Sequence, residues 1–356
     1  IRSWQGKFDS ALEKCEQAWS ICEREGKAES PEAARICSLR GVAHYQRGEY
    51  QQALVYYDQG RHICELLGTT KSSEAAMLLL KMGAALRAQG RLQEAVGTYE
   101  RALRKFKEAG TMESVQAAIV LRHLAIALGD MGDYEGAKLE LGKSLELLER
   151  SNAMGSMAGA DALRSLGDLQ WAAGDLAEAA ERYEQVLKVT AANGLLTGPE
   201  PAAILWRIAR VECARGQWRS AVDRLEEANA MFQSSGTDRT QEAARSKAQL
   251  GVARQGLGQV DEASQCFLAA LEVFEAHGMA TCLDAAEIQA RLGEAYLFKG
   301  ELDSAKEQFD AAWATHEAAG ATRRPQAAEI LQLRGDFERQ LGNLHGALEK
   351  YDQATE

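Results

Sequence analysis

The chain has 356 residues, 46% of them apolar and 26% charged, with a formal net charge of −11. That balance excludes the basic footprint of a nonspecific nucleic-acid binder, and no apolar run approaches the roughly 18 residues that would predict a membrane span. The seven cysteines are odd in number and show no Cys-x-x-Cys spacing, so they encode neither a disulfide framework nor a zinc site and read as packing residues in a reducing, cytoplasmic compartment.

In chain order the elements repeat with a single period of 42 residues and no insertion. Glycine stands at Gly6, Gly48, Gly90, Gly132, Gly174, Gly216, Gly258, Gly300 and Gly342, and alanine follows each five places later, from Ala11 to Ala347. An apolar residue always sits two places after the glycine, from Phe8 and Tyr50 to Leu344. A fixed period of this length predicts stacked supersecondary units whose function is a binding surface. Within 72–110, Ala76, Leu79, Leu80, Gly83 and Leu86 lie at helical spacing up to Gly90, and Leu92, Ala95, Val96, Tyr99, Ala102, Leu103 and Phe106 do so up to Gly110. Each half predicts an amphipathic helix of about 18 residues, A then B, and the short turn at Gly90 makes them antiparallel neighbours.

The glycines divide into three series. Gly48, Gly90 and their equivalents, Gly6 included, end helix A; Gly26, Gly68, Gly110, Asn152, Gly194, Gly236, Gly278 and Gly320 end helix B. Both places call for a left-handed residue, which asparagine tolerates best after glycine. Gly41, Gly83, Ala125, Gly167, Ala209, Gly251, Gly293 and Gly335 fall inside helix A, where glycine costs about 0.5–1 kcal/mol relative to alanine and therefore marks a close helix approach. Pro31, Pro199, Pro201 and Pro325 all fall at the start of a helix A, where a missing amide proton is harmless. The units run 1–26 (partial), 27–68, 69–110, 111–152, 153–194, 195–236, 237–278, 279–320 and 321–356 (partial), forming a single solenoid over 1–356. The first lacks nearly all of helix A, so the chain reads as opening at Ile1 in mid-repeat, and flanking sequence or partner subunits are expected over the uncapped ends.

Gly83, Gly90, Ala95, Tyr99 and Ala102 stand at the distances of the tetratricopeptide repeat, and the aromatic place is filled by Tyr57, Tyr99, Leu141, Tyr183, Leu225, Phe267, Phe309 and Tyr351. The common form of that repeat has about 34 residues; this longer one resembles the repeats of kinesin light chains and of Leu-Gly-Asn-type spindle-orientation adaptors. The resemblance implies an all-α fold, a right-handed α-solenoid of about nine antiparallel helix pairs, with helix A lining a concave groove and helix B outside. Kinesin light chains carry paired asparagines on helix A, where this chain has Arg122 and His123, or Arg164 and Ser165.

No chemistry is legible. The six histidines share no metal-ligand spacing, and Gly129-Asp-Met-Gly132 and Gly256-Leu-Gly258 are repeat turns without the lysine and flanking strand of a phosphate loop. The chain therefore reads as a non-enzyme with no cofactor and no metal. Groove positions taken three before, one after and four after the inner glycine collect Arg87, Arg122, Arg164, Trp171, Trp206 and Arg210 in the middle repeats, with Glu294 and Asp336 in the last ones. Arginine with tryptophan is the composition of an interface hot spot, and arginine holds carboxylates bidentately. The expectation is an interaction scaffold, or adaptor, that takes an acidic or aromatic-acidic segment of a partner protein in this groove. The alternative is a structural subunit locked into a large assembly, cytoskeletal or ciliary, through its ends and convex face; a third reading is a peptide-sensing regulatory domain.

Overall fold

The computed structural model describes residues 2–69, 72–322 and 325–355, with no side chains given for 2–9 and 325. Ile1, the Phe8 side chain and Glu356 therefore lie outside the described residues. All regular structure there is α-helical, and the chain divides into two compact units, Ile1–Asn193 and Gly194–Glu356.

In unit 1, α1 (Arg2–Arg24) precedes four helix pairs: α2 (Pro31–Gln46) with α3 (Tyr50–Leu66), α4 (Ser73–Ala88) with α5 (Leu92–Glu108), α6 (Val115–Asp130) with α7 (Tyr134–Arg150), and α8 (Met157–Ala173) with α9 (Leu176–Ala192). Unit 2 holds α10 (Pro199–Ala214) with α11 (Trp218–Ser234), α12 (Gln241–Gly256) with α13 (Val260–Ala276), α14 (Leu283–Lys299) with α15 (Leu302–Ala318), and α16 (Pro325–Gln340) with α17 (Leu344–Thr355). Each helix is 16 or 17 residues long except α1 and α17. Within each unit, every helix B packs on the helix A before it and the helix A after it. Successive helices A also touch directly, as α2 with α4, α4 with α6, α6 with α8 in unit 1 and α10 with α12, α14 with α16 in unit 2. Helices B make no comparable direct packing with one another among the described residues, so helix A forms the inner layer of each unit.

The turn glycines do what a left-handed residue is needed for. The helix-A turn glycines from Gly48 to Gly342 have φ between 72° and 86°, and Asn152, at φ 55°, is the one positive-φ residue other than glycine among the described residues. At each turn the next amide reaches back to a carbonyl five residues upstream, as Glu49 N–H does to His44 O at 3.0 Å. Gly6 departs from the series: α1 runs straight through it. Ala11 is exposed, whereas its equivalents Ala53, Ala95, Ala179, Ala221, Ala263 and Ala305 are fully buried under their own helix A.

The inner glycines are a packing device shared between helices. A Cβ built on Gly41, Gly83, Gly167, Gly251, Gly293 or Gly335 falls within 2.3–2.7 Å of the ring sixteen residues on, respectively Tyr57, Tyr99, Tyr183, Phe267, Phe309 or Tyr351. In the two repeats where alanine replaces glycine, Ala125 and Ala209, that ring is replaced by leucine, Leu141 and Leu225. Glycine with an aromatic and alanine with leucine are two fillings of one space, as a close-packed interior requires. A further series starts helix A: Ser30, Ser72, Ser114, Ser156 and Thr240 accept the backbone N–H three residues on, while at Cys282 a sulfur accepts from Ala285 N–H at 3.4 Å. Gly198, at φ 109°, replaces the cap before Pro199.

Candidate functional site: the helix-A faces

Successive helices A touch one another, and at the position three before the inner small residue Leu80, Arg122, Trp206 and Ala290 are all under 10% exposed, whereas Ser38, Arg164 and Ala248 are half-buried and Gln332 is exposed. Leucine and alanine suit such a place; a guanidinium does not.

In unit 1 the expected arginines stand on successive helices A. Arg87 on α4 pairs with Asp130 on α6 at 3.1 Å, and Arg164 on α8 pairs with Asp161 on its own helix at 2.8 Å. Arg122 on α6 is 9% exposed and shares Asp161 with Arg164, its Nη2 lying 3.8 Å from a carboxylate oxygen, while its Nε is buried with no hydrogen-bond partner. Burial, Arg164 and Arg87 all work against the Arg122 charge, and Asp161 works for it; a guanidinium in proteins nonetheless stays protonated. Its Nη2 is also 3.2 Å from His123 Nε2, which therefore accepts the bond. Burial, reinforced by Arg122 and Arg87, pushes the His123 imidazole down to about 3, so it is neutral at physiological pH. On the same face Lys81 donates to Ser38 Oγ at 2.6 Å, and burial lowers its ammonium from the ordinary lysine value. Asp168 accepts from the Tyr183 hydroxyl at 2.8 Å. Trp171 is half-buried in the last turn of α8.

In unit 2 Trp206 is buried, and the guanidiniums of Arg207 and Arg210 lie over its ring with Cζ 4.6 and 5.1 Å from the centroid. The later helices A carry acids. Arg245 pairs with Asp284 at 2.5 Å, Arg291 with Glu294 at 3.2 Å and also with Glu329, and Arg339 with Asp336 at 2.9 Å. Glu287 is exposed on this face yet walled in by it; desolvation, then Asp284 and Glu329, raise its carboxyl to about 7.

Arg87, Arg122 and Arg164 thus belong to one charged row in unit 1, and Trp206 with Arg210 to a stack in unit 2. Lys81, Asp161, His123 and the exposed Phe298 escaped the sequence reading. Phe298 carried a usable signal: its repeat equivalents are Trp4, Gln46, Ala88, Asp130, Ala172, Ala214, Gly256 and Gln340, so Trp4 is the one other aromatic at this place. Asp161 carried half a signal: its i,i+3 spacing to Arg164 is legible, but its second partner, Arg122, comes from the preceding repeat. Among the described residues no group of histidine, cysteine or acidic side chains could hold a metal ion, and no helix is long and apolar enough to cross a membrane.

Three tetratricopeptide repeat family models match the chain, one over residues 74–150 and 200–276, a second over 122–194 and 164–234, and a third over 286–312. No curated protein matches it. Among solved structures it is similar to BtubC (BKLC) from P. vanneervenii, with 17% identity over 64% of this chain and 92% of the other and a TM-score of 0.55. It is also similar to a Rap protein complexed with Competence and Sporulation Factor (14% identity, 82% and 77% covered, TM-score 0.62). A third similar structure is aspartyl phosphate phosphatase F from Bacillus subtilis (13%, 83% and 73%, 0.62). At these identities the structures share the fold alone. With the 42-residue helix pairs and the small–glycine–alanine–aromatic order, the matched models establish that the chain belongs to the tetratricopeptide repeat family.

Proposed function

We propose that the chain is a non-catalytic scaffold that holds segments of partner proteins on its helix-A faces, and that the arginine row of unit 1 takes a segment bearing carboxylates. The observation that carries this reading is the burial of Arg122 beside Arg87 and Arg164: both disfavour its charge, and the most buried of the three has the longest ion pair, at 3.8 Å. Arg87 and Arg164 keep 32% and 30% of their side chains exposed, so a carboxylate arriving from solvent can reach both. Arg122 lies beneath them, where low surrounding polarity lets its charge act strongly. Trp171 in unit 1, and Arg210 over the buried Trp206 in unit 2, belong to the same reading, each as a contact of its own unit. The Rap protein complexed with Competence and Sporulation Factor shares this fold.

The reading is tested with an immobilised positional-scanning hexapeptide library, probed with the wild-type chain and with Arg122→Leu. Selection of aspartate and glutamate by the wild type, weakened tenfold or more in the variant and by added salt, is the expected result. The same preference in both proteins would discard the arginine row as the binding element. The alternative, a subunit built into an assembly through its helix-B side, draws on Tyr134 and Leu139, which are 48% and 60% exposed on α7. Tyr134→Ser with Leu139→Ser would then disrupt assembly and leave peptide selection unchanged.

A further inference from the structure

Unit 2 contains a second surface that the arginine row does not explain. At the C-terminal end of α14, Phe298 is 80% exposed, the most exposed of the large apolar side chains. It packs no repeat core: apart from Trp4, the equivalent places hold glycine, alanine, aspartate or glutamine. Phe298 borders an open pocket of about 420 Å³ between α14 and α16, with Leu297 and Leu333 among its walls and Glu294, Asp336, Arg339 and Gln340 at its sides. Leu297 and Leu333 are themselves 9% and 8% exposed, so the walls are built and the rim joins the Phe298 ring to polar side chains. A pocket of this size accommodates one or two side chains.

The charge around it selects the occupant. Along this face Asp284, Glu287, Glu294, Glu329 and Asp336 stand against Arg245, Arg291 and Arg339. The three arginines are paired with Asp284, Glu294, Glu329 and Asp336, and the Tyr351 hydroxyl also donates to Asp336. Glu287 forms no hydrogen bond or ion pair with the described residues, and desolvation and its acidic neighbours raise its carboxyl. Glu287 lies outside the pocket, two turns before Glu294 on α14, and Arg291 and Arg245 partly offset its acidic neighbours; acids outnumber arginines along the face, so a cation is favoured there over a second anion.

We propose that the pocket between α14 and α16 docks an extended segment of a partner protein in which an apolar or aromatic side chain packs on Phe298 and a neighbouring lysine or arginine faces the carboxylates of α14 and α16. The apolar contact supplies the anchor and the charge supplies register and partner choice, the usual division of labour at interfaces. This surface is opposite in sign to the arginine row, so the two faces select different segments. The proposal stands whether or not unit 1 binds acids.

The same hexapeptide library tests it, read for lysine and arginine next to leucine or an aromatic. The wild-type chain is expected to select that pairing. Phe298→Ala should weaken it tenfold or more, Glu287→Gln together with Glu294→Gln should lower the basic preference, and neither should change selection of acids. Phe298 is exposed, so its truncation leaves the repeat core intact, and Phe298→Tyr should retain binding. Three results would overturn the proposal: no basic–apolar selection by the wild type, equal selection by Phe298→Ala, or selection of basic residues without an apolar neighbour. A fourth is self-association of the chain in analytical ultracentrifugation that Phe298→Ala abolishes, since the occupant would then be a second copy.

Discussion

Two neighbouring helix pairs of unit 1, α4–α5 and α6–α7, solve one packing problem in different ways and then diverge where packing no longer decides. In the first, Gly83 makes room for the fully buried Tyr99 ring; in the second, Ala125 fills part of the space and Leu141 the remainder. Toward the inner layer the first presents Leu80 and Lys81, and the second Arg122 and His123 at the equivalent places. The core positions exchange volume in matched pairs, so the fold tolerates either filling. The inner face exchanges an apolar contact for a buried cation, which stability alone does not favour. The difference teaches where to look for function in a repeat protein: at the positions whose identity costs the fold something.

The largest expected effect comes from mismatching the two fillings. Gly83→Ala sets a Cβ 2.4 Å from the Tyr99 ring and should destabilise by about 2–3 kcal/mol, the scale of overpacking. Adding Tyr99→Leu, which copies α6–α7, should recover most of that loss, giving a coupling of at least about 1 kcal/mol in a double-mutant cycle read by hydrogen exchange of α4 and α5 amides. Additive losses would show that the glycine–ring pairing is incidental.

Next in size is Arg122→Leu, which copies Leu80. Removing a buried, poorly paired cation while leaving Asp161 its Arg164 partner should stabilise α6–α7 by about 1–2 kcal/mol, with loss of the acid selection proposed above. Destabilisation would mean that Asp161 and His123 satisfy the guanidinium better than the distances indicate.

Acid should separate the two units by sign. His123 has a folded value of about 3 against an ordinary 6.5, so its contribution is full above pH 6.5 and is lost as the pH falls toward 3. Glu287 is raised from 4.5 to about 7, so its contribution is full below pH 4.5 and is lost as the pH rises through 7. Hydrogen exchange from pH 7 to 5 should show α6 loosening and α14 tightening, with His123→Asn and Glu287→Gln each removing its own trend. The Glu287 effect is the smaller, because that side chain is exposed to solvent.

The smallest effect concerns hydroxyls. Tyr99 Oη is buried without a partner, whereas Tyr183 Oη donates to Asp168. Tyr99→Phe should change stability by under about 0.5 kcal/mol, and Tyr183→Phe should cost about 1 kcal/mol. Equal costs would place an ordered water on Tyr99.

The sequence by itself determined the helix pairs, their turns and their internal volumes, because each depends on residues close in the chain. A left-handed turn needs glycine or asparagine wherever it occurs, and Gly83 meets Tyr99 within a single hairpin. Gly6 and Ala11 show where periodicity stops being sufficient: the pattern continues, but α1 runs through Gly6 and Ala11 is exposed. The tertiary structure alone decided which inner-face residues are exposed. Arg122 is buried because successive helices A touch, Asp161 serves arginines from two repeats, and Phe298 stays in solvent although its neighbour Leu297 does not. Those outcomes depend on how closely one repeat approaches the next, a distance that no single 42-residue period encodes.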